Sequence, residues 1–164
     1  MKVRLRVMVA VAAAAALGVM GAVAAVPALA TGPAHICSTD AGVGGSSQCV
    51  VALGSGDPVV LLGPGNSPTN WETGSNCETG TNGQSYCQIK QDGPNLCLQW
   101  DEDWPNVVIE ATCDSNTISQ HWWWSGQRFR NLYATQIGRN GVCLAATGDI
   151  SLDLCSNADT AWSW

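Results

Sequence analysis

The chain has 164 residues, 13 acidic and 7 basic, for a formal net charge of −6. Three of the basic residues, Lys2, Arg4 and Arg6, fall within the first thirty positions, leaving four over the rest of the chain. So acidic a remainder argues against nucleic acid and anionic membranes as partners and suits a neutral or cationic one.

Val7 to Val26 is an uncharged run rich in Ala and Val, broken by Pro27 and followed by Ala28-Leu29-Ala30. A basic start, an apolar stretch and a small-x-small site predict a secretory signal peptide over residues 1–30, cleaved after Ala30. A run of this length could also just span a bilayer; the small-x-small site favours cleavage, after which no membrane association is expected. All eight cysteines lie beyond it, and an even count after a signal peptide predicts a disulfide framework in a secreted, extracellular protein. With no C-x-x-C and two histidines, no metal site and no cofactor are expected.

Residues 31–48 are rich in Gly, Ser and Thr and read as an N-terminal extension pinned at Cys37, ahead of one domain over 49–164. Short apolar runs between turn residues then recur, the pattern of an all-β fold. Strands are predicted at Cys49–Leu53, Val59–Leu62, Tyr86–Lys90, Cys97–Trp100, Val107–Thr112, His121–Ser125, Phe129–Thr135, Val142–Ala146, Ile150–Leu154 and Trp162–Trp164. The stretches Gly63–Asn70 and Thr73–Gly83 read as loops. Turn signals sit at Gln91-Asp92-Gly93-Pro94, Arg139-Asn140-Gly141 and Gly148-Asp149.

An internal threefold repeat runs through this pattern. Trp71, Trp122 and Trp164 each close a segment; nine residues before them stand Leu62, Cys113 and Cys155, and further back Cys49, Cys97 and Cys143. The repeat points to disulfides Cys97–Cys113 and Cys143–Cys155. Leu62 leaves Cys49 without the matching partner; Cys37 is the nearest candidate, which leaves Cys77 with Cys87. Each loop closed in this way stabilises by roughly 3 kcal/mol.

These residues resemble the ricin-type β-trefoil lectins, whose repeat reads Cys-apolar-Asp, an apolar strand, a second Cys and Gln-x-Trp. Cys97-Leu98, Val107-Val108-Ile109, Cys113 and Gln120-His121-Trp122 follow it well. The third repeat follows with Trp162 in the glutamine's place, and the first, weaker, with Thr69 there. The resemblance covers roughly residues 49–164. It implies a β-trefoil of three disulfide-stapled repeats, a short closed barrel capped by hairpins, with one tryptophan of each repeat in the core.

The departures bear on ligand. In sugar-binding repeats of this family an Asp two residues after the first Cys, an aromatic just before the second, and an Asn beside the Gln contact the sugar. Here the Asp position carries Val51, Gln99 and Ala145, and the aromatic position Val60, Ala111 and Asp153; the Asn position in repeat two is Ser119. Glu110 falls where an inward apolar residue is expected, leaving the register open by one residue. No repeat keeps the family's galactose site.

The candidate carbohydrate-binding residues are therefore Gln99, Asp101, Trp104 and Gln120, in the acidic, Trp-containing segment of repeat two. The competing reading is a solvated acidic hairpin. Asp101 and Asp103 fall short of the six to eight oxygens that calcium takes. In Trp122-Trp123-Trp124, strand alternation places Trp122 and Trp124 on one face and Trp123, with His121, on the other. Trp123 is then either an exposed anchor for a partner or covered by the neighbouring hairpin or the N-terminal segment. No serine-triad context, no selected carboxylate pair and no phosphate loop is present, so no enzyme activity is expected. The expected partner is a glycan or polysaccharide; the alternative is an extracellular protein, bound by an interaction or inhibitor module on the same scaffold through its loops.

Overall fold

Apolar residues at alternate positions bury one face of a strand, and short runs of this kind supply the sheet of this molecule. The computed structural model describes residues 33–39, 48–63, 69–101, 103, 107–147, 149–157 and 160–164. The predicted signal peptide lies outside them. Among the described residues the strands are β1 (Cys37–Ser38), β2 (Cys49–Val51), β3 (Val60–Leu62), β4 (Trp71–Thr79), β5 (Ser85–Gln91) and β6 (Leu96–Asp101). They continue as β7 (Val107–Thr112), β8 (His121–Ser125), β9 (Arg128–Asn131), β10 (Val142–Thr147), β11 (Asp149–Leu154) and β12 (Trp162–Ser163). All twelve join one sheet, and the described pairings between strands are antiparallel.

The sheet repeats one arrangement three times. A first strand pairs with a second: β2 with β3, β6 with β7, β10 with β11. A third strand carrying a buried tryptophan pairs with a fourth: β4 with β5, β8 with β9, β12 with β1. The second strands converge, β11 bridging to both β3 and β7. One core results, with contributions from every unit: Val50, Leu98 and Leu144 from the first strands, Trp71, Trp122 and Trp162 from the third, Ile36, Ile89 and Phe129 beside the fourth or within it.

The tryptophans are held alike. The indole N–H donates to the carbonyl of the residue after the first cysteine: Trp71 to Val50 at 3.4 Å, Trp122 to Leu98 at 2.9 Å and Trp162 to Leu144 at 2.8 Å. Trp162 rather than Trp164 therefore anchors the third unit, and Thr160, not Trp162, stands two residues before it. Trp164 instead lies with its ring against Phe129, centroids 5.5 Å apart. The count of nine residues back from the tryptophan misleads here because the loop before β12 is shorter.

Repeat one is also offset. Cys49 pairs with Leu62 as Cys97 does with Ala111 and Cys143 with Asp153. Leu62, rather than Val60, is thus the position in repeat one that matches Ala111 and Asp153. It is apolar but not aromatic. The four disulfides are Cys37–Cys49, Cys77–Cys87, Cys97–Cys113 and Cys143–Cys155. The first two join residues directly opposite in register. Four disulfides indicate an extracellular or other oxidising environment. No helix among the described residues is long and apolar enough to cross a membrane.

Three local expectations change. Thr73–Gly83 is not a loop: up to Thr79 it is strand β4, with an irregular register between Thr73 and Cys77. Asn76 occupies this bulge at φ 52°, a left-handed conformation that asparagine tolerates better than most residues, and its amide donates to Gln88 at 2.9 Å. The strand predicted over Phe129–Thr135 stops at Asn131, where helix α1 (Leu132–Gln136) begins. The Asn131 side-chain oxygen accepts from the Tyr133 and Ala134 N–H groups, an N-cap. Within the predicted N-terminal extension, Ile36 is fully buried and β1 pairs with both β2 and β12, so this part of it belongs to the sheet.

Glu110 is fully buried in β7 and faces Leu98, where the matching pairs are Val50–Leu61 and Leu144–Leu152. One carboxylate oxygen accepts from the Gly54 N–H at 3.1 Å; the other has no partner among the described residues. Burial raises its pKa above the ordinary 4.5, the Gly54 N–H opposes this, and the charge of Asp57 adds to it.

A carboxyl whose folded pKa is raised favours folding while protonated and loses that contribution as pH rises through the folded pKa. Glu110→Gln should therefore be more stable than wild type near neutral pH, with the gain shrinking toward acid pH, as read by urea unfolding across pH. Trp122→Ala and Trp162→Ala should each cost about 3–5 kcal/mol. Trp164→Ala should cost clearly less in the same assay.

Candidate functional site

Alternation along β6 sends Leu98 and Trp100 into the core and leaves Gln99 and Asp101 half-buried on the other face. Gln99 meets Gln120: its side-chain oxygen accepts from the Gln120 amide at 2.9 Å. Gln120, in the 3₁₀ turn Ile118–Gln120, is buried and fully engaged. Its amide also donates to the Thr112 carbonyl, and its oxygen accepts from the Asp114 N–H and the Gln88 amide, each at 2.9 Å. Gln88 donates further to the Asp114 carbonyl. With both N–H groups and both lone pairs occupied, Gln120 braces β5, β6 and the turn and has no capacity left for a ligand.

Asp101 stands at the end of β6, where its carboxylate accepts from the Asp103 N–H at 3.0 Å, a local turn. Trp104, with Glu102 and Asn106, lies outside the described residues. Of the four candidates, then, Gln99 and Gln120 touch each other and Asp101 follows along the same strand face.

Trp123 points away from the core, as alternation requires, and is partly covered. Arg130, its direct partner on β9, lies with the guanidinium 5.4 Å from the indole centroid, and the Tyr86 ring is 6.2 Å away. His121 is fully buried, with Nδ1 3.1 Å from the Thr117 carbonyl oxygen. His35 is exposed.

This covered face borders a cleft of about 420 Å³ that the sequence does not announce, lined by Thr81, Asn82, Tyr86, Arg130, Thr135 and Asn140. That volume lies within the roughly 300–1,000 Å³ of small-ligand sites. Its floor is hydrogen-bonded. Asn82 donates to the Tyr86 hydroxyl at 2.9 Å, that hydroxyl lies 3.4 Å from the Thr135 hydroxyl, and Thr135 donates to the Asn131 carbonyl at 3.0 Å. Gly80 lets the Tyr86 ring in, since a Cβ there would stand 2.7 Å from the ring. The lining brings together the β4–β5 turn, β9, α1 and the turn before β10. No local motif marks it.

Replacing Gln120 by alanine strands buried partners, at a cost of about 1–3 kcal/mol for each group left unsatisfied. Gln120→Ala should lower unfolding stability while leaving the Tyr86–Arg130 face folded, as read by urea unfolding and the near-ultraviolet tryptophan signal. No family model matches the chain, and no curated protein matches it. Among solved structures it is similar to the GlcNAcα1-4Gal releasing endo-β-galactosidase from Clostridium perfringens, with 12% identity and a TM-score of 0.56 over 80% of this chain. The chain spans 31% of the length of that enzyme, and at this identity the likeness concerns the fold alone.

Proposed function

We propose that this protein is a secreted, non-catalytic carbohydrate-binding module on a ricin-type β-trefoil scaffold, with a sugar site displaced from the family's usual positions. The observation that carries this reading is the threefold unit, whose three tryptophan N–H groups reach the carbonyl after the first cysteine. The converging second strands and the pairing of β12 with β1 agree with a closed trefoil.

The displacement follows from two observations. Gln120 is occupied within the fold, and no aromatic stands at the family's stacking positions, Leu62, Ala111 and Asp153. The polar cleft beside Tyr86 and Arg130 offers hydroxyl, amide and guanidinium groups, the donor and acceptor set that sugar hydroxyls need. The lining residues include no carboxylate, hence no acid and base pair for glycoside hydrolysis there. The alternative, an interaction or inhibitor module, relied on two exposed loops, and one of them is largely strand β4.

A glycan array probed with the oxidised protein tests the reading. Arrays should include chains ending in GlcNAcα1-4Gal, the linkage named for the structurally similar enzyme. Binding to defined glycans without release of product is the expected result. Silence across the array, with the protein shown to be folded, would overturn it.

A further inference from the structure

Arg130 is one of four basic residues after position 30, in a chain where 13 acidic residues stand against them. Among the described residues its guanidinium has no hydrogen-bond or ion-pair partner; it rests over the Trp123 indole. Stacking on an aromatic face fixes the plane of a guanidinium and leaves its in-plane N–H donors free. Those donors border a cleft whose other lining residues are uncharged. Two of these, Thr81 and Asn140, likewise have no side-chain hydrogen-bond partner among the described residues and are exposed. Below them the Asn82, Tyr86 and Thr135 groups are tied to one another.

We infer that this cleft binds a carboxylate-bearing saccharide unit, with Arg130 taking the carboxylate and Thr81 and Asn140 taking ring hydroxyls. The inference rests on the carbohydrate-binding reading and adds the ligand's charge and the residue that selects it. A planar fork of N–H donors matches a carboxylate in bidentate geometry. Surrounding acidic charge in the rest of the chain would repel an anion unless one cation in a recess received it, so Arg130 decides whether such a ligand binds. Hydroxyl and amide neighbours add contacts that a bare anion could not use.

The test is a glycan array carrying neutral, sulfated, uronate-containing and sialate-containing chains, probed with oxidised wild type, Arg130→Gln and Asn140→Ala, followed by titration of the leading hit. Unfolding curves of the variants serve as the folding control; Arg130 is only half-buried, and its loss should leave the curve in place. Expected are selective binding of carboxylated chains, at least a tenfold loss in Arg130→Gln, a smaller loss in Asn140→Ala, and weakening as salt is raised. Acetate at the same concentration should not compete. Binding confined to neutral glycans, or undiminished in Arg130→Gln, would overturn the inference while leaving the carbohydrate-binding reading intact. Preference for sulfated chains, or full competition by acetate, would also overturn it. Absence of binding to every class would remove both readings together.

Discussion

The three indole-to-carbonyl hydrogen bonds organise this molecule. A buried tryptophan contributes more apolar area than any other side chain, but burying its N–H without an acceptor is costly. For Trp71, Trp122 and Trp162, unlike Trp100, an acceptor is present: the carbonyl after the first cysteine of the same unit. Each bond ties the third strand of a unit to its first. It sets the depth of the ring and therefore which neighbours can fill the space around it. Ile89 and Phe129 on β5 and β9, and Ile36 beside β1, complete the cluster. The disulfides, with Cys87, Cys97 and Cys143 buried, add to this arrangement by restricting the unfolded chain.

Much of this was legible in the residues. Val107–Thr112 and His121–Ser125 are rich in β-branched and aromatic residues, and both form strands with those bounds. The cysteine spacing in repeats two and three carried their disulfides. What was hidden has physical reasons. β4 is written in Thr, Gly, Ser and Asn, and it is a strand because β5 and the Cys77–Cys87 bond hold it, not through its own propensity. α1 is five residues long, too short to show a period, and depends on the Asn131 cap. Counting selects Trp164, whereas full burial and the indole bond to the Leu144 carbonyl put Trp162 in the anchoring place.

The candidate site shows the same division. Gln99 and Gln120 were singled out together, and they are joined, but as a brace rather than a receptor. A glutamine beside a conserved-looking motif cannot announce whether its four hydrogen-bonding positions face inward. The cleft was invisible because its lining comes from Thr81–Tyr86, Arg130 and Thr135–Asn140, stretches joined by the sheet and α1 rather than by spacing. Trp123 was recognisable as an outward residue; that Arg130 would cover it depended on the tight β8–β9 turn, with Gly126 and Gln127 both at positive φ.

The strand that completes the third unit is not next to it in the chain. β1 precedes the first unit and pairs with β12 of the third, Cys37 opposite Ser163 and Ser38 opposite Trp162. During synthesis the earliest strand of this sheet must wait for β12 to emerge before it has both neighbours. The Cys37–Cys49 link, only 12 residues long, can form long before that and hold β1 against β2 in the meantime. An oxidising environment thus acts on the order of assembly as well as on final stability. It keeps the closing strand docked at one edge until the opposite edge arrives.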